Sequence, residues 1–220
     1  MAAASAMTIR QVSILLFGIA ALELCGAGVH HQTGMNPLML IGVLRCAETL
    51  WMIGQIRQFQ GGLSLIGLSA GSICAGIREG LKATVAVGVL TFSVHLVLRY
   101  FGYSLIAALA PGSVPGLSRI LALLAIGGLL APIAEEVLFR GVIFACLHRY
   151  ATVTKIVISA LCFAGVHLAE GFNPTHIAGG FLFGVVYARY QKLSAAMVVH
   201  CAGNCAIFIS GWLHAAGMLD

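Results

Sequence analysis

Residues 117–148 read LSRILALLAIGGLLAPIAEEVLFRGVIFACLH. This run is longer than the ~20 apolar residues that carry a helix across a bilayer. Yet Glu135, Glu136 and Arg140 stand well inside it. Ionisable groups at that depth are costly, so they are kept where they pair or do chemistry. The stretch therefore makes the chain an all-α, polytopic transmembrane bundle and marks its fourth span as the place to look for a site.

The rest of the composition agrees. Of 220 residues, 60% are hydrophobic and only 9% charged, and the mean hydropathy is +1.01. Such a chain cannot form an ordinary soluble domain. Its net charge of +5 comes from Lys and Arg scattered between apolar runs. There is no basic stripe for phosphates, so no nucleic-acid partner is expected. Seven cysteines, at 25, 46, 74, 146, 162, 201 and 205, are odd in number and show no CxxC spacing. They read as small core residues, not as a disulfide framework.

Apolar runs occur at about 11–29, 37–54, 83–99, 117–148, 154–169, 175–190 and 193–213, giving about seven spans, with six to eight allowed. The first run is long and contains Glu23, so it reads as a retained span, not a cleaved signal. A cytoplasmic N-terminus puts Arg10, Arg57, Arg78, Lys82, Arg149, Lys155, Arg189 and Lys192 inside, and only Arg99 and Arg119 outside. That bias follows the positive-inside rule. Splitting 117–148 into two spans would destroy it, so one long helix, tilted or kinked at Pro132, is expected. Residues 62–79, rich in Gly and Ser, and the run 104–110 before Pro111 and Pro115 read as interfacial helices. The whole chain, 1–220, is then a single integral-membrane domain with its motif-bearing core at about 116–213.

Three pairs of polar or aromatic residues recur at helical spacing. Glu136 and Arg140 are four apart and can pair in the acid-first order. That leaves Glu135 free, about 100° round the helix. Phe163 and His167 share a face of the fifth span, and His200 and Asn204 share a face of the seventh. At 1.5 Å per residue, Glu135 and His167 both lie roughly 20 Å from the cytoplasmic side, Asn204 at roughly 16 Å and His200 at roughly 10 Å. A carboxylate, two imidazoles and a carboxamide near one level can activate water and hold an oxyanion.

These residues resemble the motifs of the CPBP family of intramembrane glutamic endopeptidases, which includes the type II CAAX prenyl proteases and the Abi-like proteins. The order EExxxR, FxxxH, HxxxN is present as Glu135-Glu136 with Arg140, Phe163 with His167, and His200 with Asn204. Pro132, Phe139 and Gly141 also look like the family. The resemblance implies an endopeptidase acting on a membrane-associated protein or peptide, lipidated or not. It implies that Glu135 is the general base, assisted by His167, with His200 and Asn204 stabilising the oxyanion. Glu136 and Arg140 become electrostatic support, and Phe163 a candidate for lining the substrate path. A multi-pass protein of a bacterial-type inner membrane, without a cofactor, is the matching expectation.

Two other readings stay open at this stage. Glu135, His167 and His200 have the donor types of a catalytic zinc site, although HExxH is absent. The same polar residues can also serve as helix glue in a non-catalytic scaffold or immunity protein. Elsewhere, Arg45 and Glu48 read as a helix-surface pair and Trp51 as an interfacial anchor. Glu23 and His95 are candidates for buried partners or for lining a cavity. His176 reads as a residue at the start of a helix, not a catalytic one, and Gly180 with Gly184 as a close-packing GxxxG.

Overall fold

The computed structural model describes residues 7–109, 116–171 and 173–219. Among them every regular element is helical. Helix α1 (Ile9–Thr33) starts with a capping box, in which Thr8 and Gln11 satisfy one another's backbone N–H groups, and ends at Gly34 in the left-handed region. Helix α2 (Pro37–Gln58) starts with Asn36 as cap and Pro37 in its first turn. Helix α3 spans Ala70–Tyr100, and a short α4 covers Leu105–Leu109. The long helix α5 (Leu117–Cys146) follows. Helices α6 (Thr152–Val166), α7 (Pro174–Tyr190) and α8 (Leu193–Ala215) complete the bundle.

The helices α1, α2, α3, α5 and α8 are long and apolar enough to cross a membrane. The 15 residues of α6 and 17 of α7 make two shorter apolar helices. These correspond to the seven expected runs. Large apolar side chains such as Phe17, Leu24, Val85, Leu90 and Phe92 are exposed along α1 and α3. A surface of that kind suits lipid, and the chain is an integral membrane protein.

Helix α3 departs from expectation by starting well before residue 83. Residues 70–82 form no separate helix; they continue α3 and pack on α8. The reason is a pair of glycines. A Cβ at Gly76 would lie 2.0 Å from Ser194 Oγ, and one at Gly80 would lie 2.8 Å from the Ala195 carbonyl oxygen. Small residues let the two backbones approach, and the Ser194 hydroxyl then donates to the Ile73 carbonyl at 3.1 Å. Upstream, Gly62–Ile66 is a 3₁₀ turn. The run at 104–110 does give a short helix, while Pro111 and Pro115 lie outside the described residues.

Helix α5 is continuous but changes pitch. Two π-helical segments, Ile126–Leu130 and Val137–Ile143, flank the α-helical turn Ala131–Glu136. Pro132 has no N–H to give, and the Ala131 N–H reaches back to the Ile126 carbonyl. The Gly127 carbonyl is thereby left without a donor from its own helix. Asn204 of α8 supplies one, its Nδ2 donating to that oxygen at 2.9 Å. So the expected disturbance at Pro132 is met by widened turns and a side chain from a neighbouring helix.

The core joins α1 and α2 to α5 and α8. Leu15, Met52 and Ile56 from α1 and α2 belong to one buried cluster with Val137, Val142, Leu193, Ala196 and Val199. One local expectation needs correcting there. Glu48 is not on a helix surface; its side chain is 2% exposed, and it shares Arg45 (2.5 Å) with Glu23 (2.8 Å to Arg45). Glu23 is thus tied to α2. Nearby, the Trp51 indole N–H donates to the Leu15 carbonyl at 3.3 Å across the α1–α2 seam.

Candidate active site

Glu135 and Glu136 leave α5 in different directions and meet different surroundings. The Glu136 side chain is fully buried and that of Glu135 is 17% exposed. Burial of an ionised carboxylate requires partners. Glu136 Oε1 accepts from Arg140 Nη1 at 2.7 Å, as the spacing predicts. The same oxygen lies 2.8 Å from His200 Nδ1. Spacing along the chain carried no sign of this second bond, since residues 136 and 200 sit on different helices.

Arg140 is itself fully buried. Its Nη2 donates to the Gly180 carbonyl of α7 at 2.8 Å. Its guanidinium lies 5.0 Å from the Phe163 ring centroid and 5.4 Å from that of Phe183, within cation–π range. Gly180 serves twice. A Cβ there would meet the Ala160 Cα and carbonyl oxygen at 3.1 Å, so its bareness allows α6 to close on α7 while its carbonyl faces Arg140. The expected GxxxG packing is present, with Gly184 facing Ile156. Nearby, the buried Ser159 hydroxyl donates to the Phe139 carbonyl at 3.0 Å and fastens α6 to α5.

Both imidazoles turn the same edge toward Glu135. His167 stands at the end of α6, with Nδ1 2.8 Å from the Phe163 carbonyl oxygen. A carbonyl only accepts, so Nδ1 carries the hydrogen and Nε2 is left for the site. That Nε2 lies 3.9 Å from Glu135 Oε1. For His200, the carboxylate held by Arg140 is likewise an acceptor, so its Nδ1 donates. Its Nε2 lies 3.6 Å from Glu135 Oε2. Both separations are too long for direct hydrogen bonds. They suit a carboxylate and two nitrogens that share one small molecule between them.

Aromatic faces hold the rings. His200 stacks on Phe183 at 4.0 Å and 19°, and Phe163 meets it edge-on at 5.6 Å. Phe163, named above as a candidate for lining the substrate path, is 3% exposed. It packs behind the imidazoles, also touching Phe139 at 5.3 Å. Thus the structure gathers Glu135, Glu136, Arg140, Phe163, His167 and His200. Asn204 sits one turn farther along α8, where one of its amide hydrogens is used on Gly127. His176, set aside as a helix-start residue, is in the first turn of α7 yet lies 4.3 Å, ring to ring, from His167. Among the described residues no three His, Cys, Asp or Glu side chains group as ligands for a metal ion.

Residues 117–206 match the family model described as type II CAAX prenyl endopeptidase, Rce1-like. This segment resembles an Rce1-like domain. It covers α5, α6, α7 and most of α8, and it contains every residue of the three motifs. No curated protein matches the chain, and no solved structure does. The family that this segment resembles is one of endopeptidases, which are hydrolases.

Proposed function

We propose that the protein hydrolyses a peptide bond of a membrane-associated protein or peptide by water activated at Glu135. The observation that carries this reading is the placement of two imidazole Nε2 atoms at 3.6 and 3.9 Å from one part-exposed carboxylate. A water held there has a base on one side and hydrogen-bond partners on the others. Glu135 takes its proton, with His167 holding the water, and the hydroxide oxygen attacks the scissile carbonyl carbon. As the tetrahedral intermediate collapses, the C–N bond breaks and the proton goes to the leaving nitrogen.

Asn204 and His200 hold the oxyanion in this scheme. The Asn204 amide has one hydrogen on Gly127 and a second to offer. His200 already spends its Nδ1–H on Glu136, so its Nε2 donates only after receiving a proton. Glu135, 3.6 Å away, is the near source. Passing the water proton from Glu135 to His200 gives an imidazolium that Glu136 supports from behind. Glu136 and Arg140 orient that ring and are not themselves reacting groups. The Lys and Arg bias supports a cytoplasmic N-terminus.

The test is a comparison of membranes carrying wild-type protein or Glu135→Ala, by terminal proteomics. A new terminus formed only by the wild type is expected, with the variant inserted and folded. Equal termini in both reject Glu135 as the base and leave a non-catalytic scaffold as the reading. A zinc-dependent hydrolase is favoured by one observation, that each Nδ1 is fixed by an acceptor, as it is in metal-binding histidines. We expect turnover to persist in excess chelator; loss restored by zinc would make the metal reading correct.

A further inference from the structure

We propose that His176 is a positioning residue for His167, an inference that rests on the reading of Glu135 and His167 as the water-activating pair. His167 occupies the weakest point of its helix. The α-helical hydrogen bonding of α6 stops at Val166, a 3₁₀ turn runs from His167 to Glu170, and Gly171 follows at φ 103°. The backbone alone is a poor holder for a ring that must aim one nitrogen at a carboxylate.

Side chains provide the restraint. The bond from Nδ1 to the Phe163 carbonyl fixes one atom of the ring but lets the rest swing about it. Stopping the swing takes contact with the ring's face. Phe163 contributes one, at 4.7 Å and 40°, and His176 the other, at 4.3 Å and 40°. With Phe163 and His176 themselves 6.5 Å apart and nearly perpendicular, the three rings form a corner in which His167 sits.

The third ring comes from a firm support. Asn173 caps α7 by accepting from the Thr175 N–H at 3.0 Å and its hydroxyl at 2.7 Å. Pro174 fixes the first helical position, and the His176 N–H returns to the Asn173 carbonyl at 3.1 Å. A capped helix start thus sets a planar group against the ring at the end of α6. The contact with His167 is made ring to ring, so an aromatic replacement keeps this contact.

The experiment compares wild type with His176→Phe, His176→Ala and His176→Leu, in bicelles. Nitrogen-15 relaxation of the His167 ring, with its signals assigned by His167→Gln, reports whether that ring is held still. Wild type and H176F should show a held ring, while H176A and H176L show signals broadened by ring motion. An unchanged His167 spectrum in H176A and H176L, or an H176F spectrum as disturbed as theirs, overturns the proposal. Turnover of a prenylated CAAX peptide is measured in parallel. In H176A kcat should fall about tenfold or more with KM nearly unchanged, and H176F should regain most of it. Cleavage retained by Glu135→Ala would refute the catalytic reading, whereas the spectra would still decide whether His176 holds His167.

Discussion

Replacing Glu136 by Gln keeps the shape of the side chain and removes its charge. Arg140 is then a fully buried cation left with a neutral amide oxygen, the Gly180 carbonyl, the faces of Phe163 and Phe183 and the more distant Glu135 carboxylate. In a polarisable interior two unit charges about 4 Å apart attract by about 4 kcal/mol. Removing one member of a buried pair generally costs about 3–5 kcal/mol, because the other is left uncompensated. Arg140→Met strands Glu136 in the same way, leaving it only His200. Each single variant should therefore lose about 3–5 kcal/mol. The double variant removes both charges and should lose clearly less than the sum. Reversible unfolding in bicelles, followed by circular dichroism or steric trapping, measures all three. Two single variants within about 0.5 kcal/mol of wild type, the range of ordinary surface changes, would falsify the view that this pair is a closed electrostatic unit.

Asn204→Ala should slow turnover by about 100-fold as the loss of one oxyanion donor. It should also cost about 1–3 kcal/mol, since the Gly127 carbonyl loses its donor; a variant as stable as wild type argues against that bond. Gly180→Val places a branched side chain against the Ala160 backbone, which cannot give way. A loss of about 1–3 kcal/mol or more is expected, with Gly165→Ala as control because a Cβ there meets nothing within 4 Å. Unfolding midpoints check both.

Helix positions were legible wherever hydrophobicity and caps coincided. The expected run at 37–54 became Pro37–Gln58, and that at 193–213 became Leu193–Ala215. The start of α3 was hidden because Arg78, Glu79 and Lys82, with Gly and Ser, lower the apparent hydrophobicity of 70–82. Those same small residues are what lets this part pack on α8. The end of α6 was placed too late, since Leu168 is as apolar as the residues before it and only the backbone shows the 3₁₀ turn.

At the site, pairs four apart on one helix were readable and contacts between helices were not. Glu136 with Arg140 was expected and found. The bond from His200 to Glu136 depends on how α8 lies against α5, and depth counting put His200 a turn too low. His200 Nε2 in fact lies 3.6 Å from Glu135 Oε2. His176 carried a correct local reading, that of a helix start. Its neighbour across the turn was invisible to any periodicity.

Consecutive acids on one helix turn have been given opposite chemical fates by that geometry. Glu136 is sealed behind arginine, imidazole and aromatic rings, while Glu135 retains access to its surroundings. A lipid-soluble carbodiimide, which couples to carboxyl groups it can physically reach, would therefore tell the twins apart by mass spectrometry, tagging the first and sparing the second.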